Sequence, residues 1–407
     1  MKIGIIREGK IPTDNRVALT PEQCNLLIEK YKCGISVEPS PHRCYSDAEY
    51  ESAGINLTTD LKDCDFLLGI KEIPIDQLIP EKTYLFFSHT IKKQAYNRKL
   101  LQTILEKKIK LVDYEVLKNE KDQRLIAFGK FAGMVGAHNG VLGYGNRTGL
   151  FALQRLKSFR HYEDAIAVYK KMIFPPLKIV LTGHGRVANG AIQVLRDMGI
   201  EQINPYNFLS DKFDKPVFTQ LKPEDYAARA DNTLYKKADF YATPEKFTSV
   251  FAPYYRTADI FVNGIYYEKN APAFFSIKEM QLPDFKIKVI ADISCDLVPH
   301  SSIPATIRAT TIESPFFGYN PTNKTETGAF DADAVTMMAI DNLPNELPRD
   351  ASQYFGEQLL EYILPELLKT HSDVISNATV ADNGYLTPNF KYLENFIKND
   401  EFFNDER

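Results

Sequence analysis

The run Leu177-Lys-Ile-Val-Leu-Thr-Gly-His-Gly-Arg-Val-Ala-Asn-Gly-Ala-Ile-Gln-Val-Leu-Arg196 constrains this chain more than any other stretch. An apolar segment stops at Gly183 and helix-like spacing begins within three residues, which predicts a strand, a tight turn and a helix. Gly183 and Gly185 let the backbone turn and admit a pyrophosphate, while Arg186 and the open N–H groups of the first helical turn face it with positive charge. Ala188 stands in place of the third glycine of G-x-G-x-x-G, a replacement the motif allows. Glycines at such a corner also serve simply to change direction, so the motif alone does not decide. Two further runs add weight: Asp259-Ile-Phe-Val-Asn-Gly264 and Lys288-Val-Ile-Ala-Asp-Ile-Ser294 end in small or polar residues, as parallel strands do at a ligand crevice. The cofactor-contacting candidates on these three crests are Gly183, Gly185, Arg186, Val187, Asn263, Gly264, Ile265, Asp292 and Ile293.

At 407 residues the chain exceeds one ordinary core, and two domains are expected. A 44% hydrophobic and 25% charged composition permits a sizeable buried core. The net charge of −4 removes any general electrostatic case for nucleic acid. The opening Lys2-Ile-Gly-Ile-Ile6 is too short for a secretion signal and no segment has the uncharged length of a membrane span, so a cytoplasmic protein without membrane partners is expected. Five cysteines without a C-x-x-C pair and seven scattered histidines suggest neither a disulfide framework nor a metal site.

Residues 1 to about 130 alternate strand-like and helix-like segments. Strands are expected at Ile3–Ile6, Ile35–Glu38, Phe66–Ile70, Thr83–Phe87 and Leu111–Tyr114, and helices at Pro21–Lys32 and Gln94–Lys108. This order favours a parallel sheet. Arg16, Lys71, Glu72, His89, Lys92, Glu115 and Arg124 collect just beyond the strand ends, which share one edge of such a sheet. A solvated ion pair for Lys71 and Glu72, or a core histidine for His89, is the plainer alternative for each alone; their common placement favours a site.

Phe128-Gly-Lys-Phe-Ala-Gly-Met-Val-Gly-Ala-His-Asn-Gly-Val141 spaces small residues as a closely packed long helix would, leading from the first domain into the second. After the glycine-turn helix, Gln202–Asn207 occupies the expected place of the second strand of the dinucleotide fold, with Asn207 at its end. No acidic residue stands there to hold a ribose 2′-hydroxyl, and no arginine to clamp a 2′-phosphate. The tyrosine-rich stretch 210–250 suggests a helical insertion, and Ser352–Lys369 an amphipathic helix that packs back on the first domain. The fold class is α/β with two Rossmann-like parallel-sheet domains. Residues 1–132 plus 340–407 are expected to form the substrate domain, and 133–339 the dinucleotide-binding domain.

Taken jointly, several segments carry a resemblance: Arg16-Val-Ala-Leu19, Leu68-Gly-Ile-Lys71, Lys82-Thr-Tyr-Leu-Phe-Phe-Ser-His-Thr-Ile91, Leu111-Val-Asp-Tyr-Glu115, Ile126-Ala-Phe-Gly-Lys-Phe-Ala-Gly133, Val262-Asn-Gly-Ile-Tyr266, Asp292-Ile-Ser294 and Ile340-Asp-Asn-Leu-Pro344. Over nearly its whole length the chain resembles the lysine-forming saccharopine dehydrogenase and lysine-ketoglutarate reductase family, within the alanine dehydrogenase and transhydrogenase group. That resemblance implies an NAD- or NADP-dependent enzyme joining the ε-amine of L-lysine to 2-oxoglutarate through an imine, or cleaving saccharopine in reverse. It implies Lys71 and His89 as proton carriers, Glu72 and Glu115 as the groups that tune them, and Arg16, Lys92 and Arg124 against substrate carboxylates. Asp341 is then the partner of the lysine α-ammonium and Phe128 a pocket wall. The fungal members carry an acidic residue where this chain has Tyr206-Asn207-Phe208, so their NAD preference does not carry over. An alanine dehydrogenase-like activity and a non-catalytic, cofactor-binding paralogue are the alternatives, and self-association into a homo-oligomer stays open.

Overall fold

Short apolar runs alternating with amphipathic helices build a parallel sheet from the N-terminal part of the chain. The computed structural model describes residues 1–268 and 270–398. Two units form: Met1–Ala127 with the chain from Pro348 onward, and Phe128–Leu347. These limits take Phe128 and Asp341 into the second unit, contrary to the expected boundaries. Phe128 heads the helix Gly129–Thr148, and Asp341 lies between the strand Val335–Met338 and the turn Leu343–Glu346, whose Glu346 pairs with Arg155.

In the first unit the strands lie in the spatial order Tyr385–Leu386, Thr379–Asp382, Lys110–Asp113, Thr83–Phe86, Phe66–Leu68, Lys2–Ile5, Gly34–Val37, Asn56–Leu57. The six N-terminal strands run parallel, and the two C-terminal ones close the sheet edge as an antiparallel pair. From Lys2–Ile5 the chain first builds outward to one side, then returns at Phe66 and builds to the other. The crest between Lys2–Ile5 and Phe66–Leu68 is therefore the switch point, where open α/β sheets take ligands. Thr20 caps the helix Pro21–Tyr31, and Gln23 closes a capping box with it. The C-terminal helical segment packs here as expected, with Ser352 Oγ accepting from Val17 N–H at 2.9 Å. It is not one helix. Pro365 has no N–H to donate, and the segment divides into Pro348–Gln358, a wider π turn Leu359–Ile363 and Leu364–Leu367.

The second unit orders its strands as Thr325–Thr327, Phe317–Asn320, Val335–Met338, Val289–Asp292, Ile260–Asn263, Lys178–Thr182, Val217–Leu221, Glu201–Gln202. All pairs are parallel except those made by Phe317–Asn320 with its two neighbours. Two expectations are corrected here. The strand beside Lys178–Thr182 is Val217–Leu221, drawn from the stretch expected as a helical insertion, whereas the expected second strand survives only as Glu201–Gln202 at the sheet edge. Pro205 opens the helix Pro205–Ser210 with Asn204 as its cap, and this helix carries Asn207 away from the crest. The tyrosine-rich stretch also forms an antiparallel ribbon, Ala227–Arg229 with Phe247–Ser249.

The helix Gly129–Thr148 lies wholly in this second unit, buried along most of its length. Its small residues bring it against the glycine-turn helix Arg186–Asp197 backbone to backbone: a Cβ on Gly133 would meet Val187 O at 1.8 Å, and one on Gly190 would meet Lys130 O at 1.9 Å. Among the described residues no helix is long and apolar enough to cross a membrane.

Candidate active site

Around the switch point of the first unit the chain gathers charge. Glu8, three residues past the first strand, accepts the backbone N–H groups of Ile70 at 2.7 Å and Lys71 at 2.8 Å, tying the loop after Phe66–Leu68 to the first strand. On the neighbouring loop His89 sits in the left-handed region, φ 52, where a histidine must be held by its surroundings. Buried Asp113 supplies the hold, accepting from Ser88 N–H and Ser88 Oγ, while Ser88 Oγ also meets Thr90 Oγ1 at 2.7 Å. The His89 ring stacks on Phe87, and its Nδ1 lies 2.6 Å from Glu72 Oε1; Lys10 donates to the other Glu72 oxygen at 2.9 Å. Lys71, Glu72 and His89 thus belong to one cluster.

Its electrostatics follow from burial and neighbouring charge. Desolvation, then the Arg16 guanidinium, brings the Lys71 ammonium down to about 8. Burial alone would raise the Glu72 carboxyl, yet the His89 and Lys10 contacts outweigh it and hold the group at about 2. Glu8 moves the other way, pushed up to about 8 by burial and by Asp14. A lysine that exchanges a proton near neutral pH, next to a carboxylate-bound imidazole, is equipped to move protons to and from a substrate nitrogen and oxygen.

The cations divide into two settings. Arg16 is only 2% exposed and its fork meets Asp14 at two points, Nε to Oδ1 at 2.9 Å and Nη2 to Oδ2 at 2.5 Å. Lys92 and Arg124 are more open and share Glu115, at 3.2 and 3.8 Å. Arg124 also lies over the Phe87 ring at 5.2 Å, which joins this group to His89 through one aromatic plate. Glu115 therefore neighbours the carboxylate-seeking cations, while Asp14 and, more weakly, Glu72 are the carboxylates that oppose the Lys71 shift. Glu8, Lys10, Asp14 and Asp113 were not among the sequence candidates. All four follow or end strands of the sheet, the same signal that picked out Lys71 and His89.

In the second unit Gly183 has φ 103, and a Cβ there would lie 2.5 Å from Gly264 O, so only glycine fits this corner. At Gly185, by contrast, a Cβ would meet nothing within 4 Å. That open space lies at the N-terminus of the twelve-residue helix Arg186–Asp197, and it suits the pyrophosphate of a dinucleotide. Arg186 is exposed beside it. Asn263 and Asp292 are fully buried and face each other across their strands: Asn263 Nδ2 donates to Asp292 Oδ1 at 2.9 Å, Thr182 Oγ1 donates to Asn263 Oδ1 at 2.9 Å, and Thr306 Oγ1 donates to Asp292 Oδ2 at 2.7 Å. Their side chains lock three strand ends together, leaving the backbone at Gly264, Ile265 and Ile293 to shape the crest. Val187 packs its carbonyl against Gly133. Asp341 is exposed and near enough to Cys295 that, after burial and Asp292, it helps hold that thiol up at about 12. Asp341, Phe128 and Asn207 all belong to this second unit.

Residues 4–135 match the family model of the alanine dehydrogenase/PNT N-terminal domain. An α-aminoadipic semialdehyde synthase of Arabidopsis thaliana is 32% identical over 97% of this chain, and the mitochondrial one of Mus musculus 31% over 95%. The chain spans less than half the length of those two relatives, 41% and 47%. The saccharopine dehydrogenase (NAD(+), L-lysine-forming) of Emericella nidulans is 29% identical, with 89% of this chain and 91% of that protein covered. Over nearly its whole length the chain is similar to the saccharopine dehydrogenases. Saccharopine dehydrogenases from other fungi match over similar lengths. The fold is shared with an L-alanine dehydrogenase at TM-score 0.67 and 16% identity, covering 97% of this chain and 99% of that one. A transhydrogenase of Sinorhizobium meliloti matches at TM-score 0.61, 14% identity, covering 95% and 100%.

Proposed function

We propose that this chain is a nicotinamide-dependent oxidoreductase that interconverts saccharopine with L-lysine and 2-oxoglutarate. The observation that carries the proposal is the pairing of a lysine lowered to about 8 with a carboxylate-held histidine at one sheet crest, in a chain similar to the fungal saccharopine dehydrogenases. Amine addition to a keto group, loss of water and reduction of the imine each require a proton to move as nitrogen changes basicity. Lys71 serves the nitrogen and His89 the carbonyl oxygen and the departing water. Lys92 and Arg124 anchor the substrate carboxylates, Arg124 being suited to two-point contact. Arg16, already engaged by Asp14, acts chiefly through its charge on Lys71. The nicotinamide of NAD or NADP, when bound, supplies or accepts the hydride. Gly183, Gly185, Arg186 and the backbone at Gly264, Ile265 and Ile293 would hold that cofactor, with Phe128 and Asp341 kept as candidate substrate contacts.

The test is oxidation of the reduced cofactor by the purified protein with L-lysine and 2-oxoglutarate together and each alone. Turnover only with the pair is expected. The alanine dehydrogenase N-terminal match favours a second reading, and turnover with pyruvate and ammonia but not with the pair would establish it instead.

A further inference from the structure

The corrected strand order places a residue that the sequence pattern had hidden. Val217–Leu221 runs parallel to Lys178–Thr182 with Thr182 opposite Leu221, so Lys222 comes level with Gly183 at the turn. Parallel strands lie about 4.8 Å apart, and side chains alternate faces. Gln220 faces the turn, because its Nε2 donates to Gly183 O at 2.8 Å. Leu221 faces the core and is fully buried. Lys222 keeps an extended backbone, φ −93 and ψ 165, so its exposed side chain returns to the face of Gln220. In a dinucleotide fold the end of this neighbouring strand is where the adenosine ribose is read, by an acid for a 2′-hydroxyl or by a cation for a 2′-phosphate. No acid ends this strand. The first carboxylates after it are Glu224 and Asp225, and Asp225 is already spent on the Lys222 backbone N–H at 2.7 Å.

We infer that Lys222 is the specificity residue for the adenosine 2′ position and that the chain selects the 2′-phosphorylated cofactor. The inference rests on the nicotinamide-dependent reading above and goes beyond it by choosing between NADP and NAD. It also replaces Asn207, which the helix Pro205–Ser210 carries away from this corner.

Direct titration tests it without turnover. NADPH and NADH are each titrated into the full chain and into Lys222→Ala and Lys222→Arg, following nucleotide fluorescence, with adenosine 2′,5′-bisphosphate and AMP as competitors. The unaltered chain is expected to hold NADPH at least tenfold more tightly than NADH. Lys222→Ala should reduce that ratio to about two or less, chiefly by weakening NADPH, and Lys222→Arg should keep it. The advantage of the bisphosphate over AMP should shrink as salt rises, since an exposed cation supplies it. Equal or tighter NADH binding by the unaltered chain, or equal loss of both nucleotides in Lys222→Ala, overturns the assignment while leaving the oxidoreductase reading intact. Failure of the unaltered chain to bind either nucleotide overturns both.

Discussion

Glu72 Oε1 stands 2.6 Å from His89 Nδ1, and the second oxygen of the same carboxylate takes the Lys10 ammonium at 2.9 Å. One anion, on the loop that carries Lys71, thus restrains a histidine and a lysine from two other loops. Its negative charge also raises the Lys71 ammonium against the larger downward push of burial and Arg16. Exchanging Glu72 for Gln keeps the shape and removes the charge. The limb of the kcat/KM profile that Lys71 sets, near pH 8, should move to lower pH. A limb that moves to higher pH would contradict the assigned electrostatics.

Lys71→Met removes the proposed nitrogen acid and base while keeping an unbranched side chain. A positioned proton carrier contributes roughly 10²- to 10⁴-fold, so kcat should fall by that range. The proposed nucleotide contacts belong to the second unit, so cofactor affinity by titration should stay within about twofold. A variant with undiminished kcat would remove Lys71 from the mechanism.

Arg16 and Asp14 form a buried pair, and such pairs are costly to break from one side because the remaining charge has no water to turn to. Arg16→Met should lower unfolding free energy by about 3–5 kcal/mol in urea titrations. Adding Asp14→Asn should recover a large part of that loss. Strict additivity of the two substitutions would show that the pair is not coupled.

Much of the first unit is legible in the sequence. Lys71, His89 and Glu72 were found because polar residues just past parallel strands share one edge, and that rule needs only the strand positions. Lys178–Thr182 and its glycine turn were found from the change of period at Gly183. What failed was the order of strands across the second sheet. Val217–Leu221 alternates little and lies in a charged, tyrosine-rich context, so its period resembles neither a buried strand nor a helix. The link from Glu8 to the amides of Ile70 and Lys71 spans more than sixty residues, and no local spacing announces it. Phe128 and Asp341 fall in the second unit because Phe128 heads the helix Gly129–Thr148 and Asp341 follows the strand Val335–Met338, both parts of that unit.

Two glycines in the same helix-and-turn region should respond oppositely to alanine. Gly190→Ala drives a methyl into Lys130 O, backbone that cannot swing aside, and should cost about 1–3 kcal/mol or more by urea midpoint. Gly185→Ala meets open space and should leave stability within about 0.5 kcal/mol, while intruding where a pyrophosphate would sit. Its effect should appear as weaker nucleotide binding. Equal stability losses in the two variants would mean that the helices do not touch where the glycines place them.

Glu8 and Lys71 should leave opposite marks on stability as pH changes. The folded-state carboxyl of Glu8 is raised to about 8 from an ordinary 4.5. Below 4.5 both folded and unfolded chains hold this proton; between 4.5 and 8 only the folded chain does, so stability falls as pH rises through that window, by at most ~1.4 kcal/mol per pH unit. Lys71 is lowered to about 8 from 10.5, so between those values the unfolded chain holds the extra proton and stability from this group rises with pH. Glu8→Gln keeps an acceptor for one of the two amides, of Ile70 or Lys71, and deletes the first window. Urea titrations of both proteins at pH 5, 6, 7 and 8 should show the unaltered chain losing ground to Glu8→Gln with each step upward. A stability difference that stays constant over those four pH values would mean that Glu8 is ionised throughout, and that the burial argued for this carboxylate does not govern its proton.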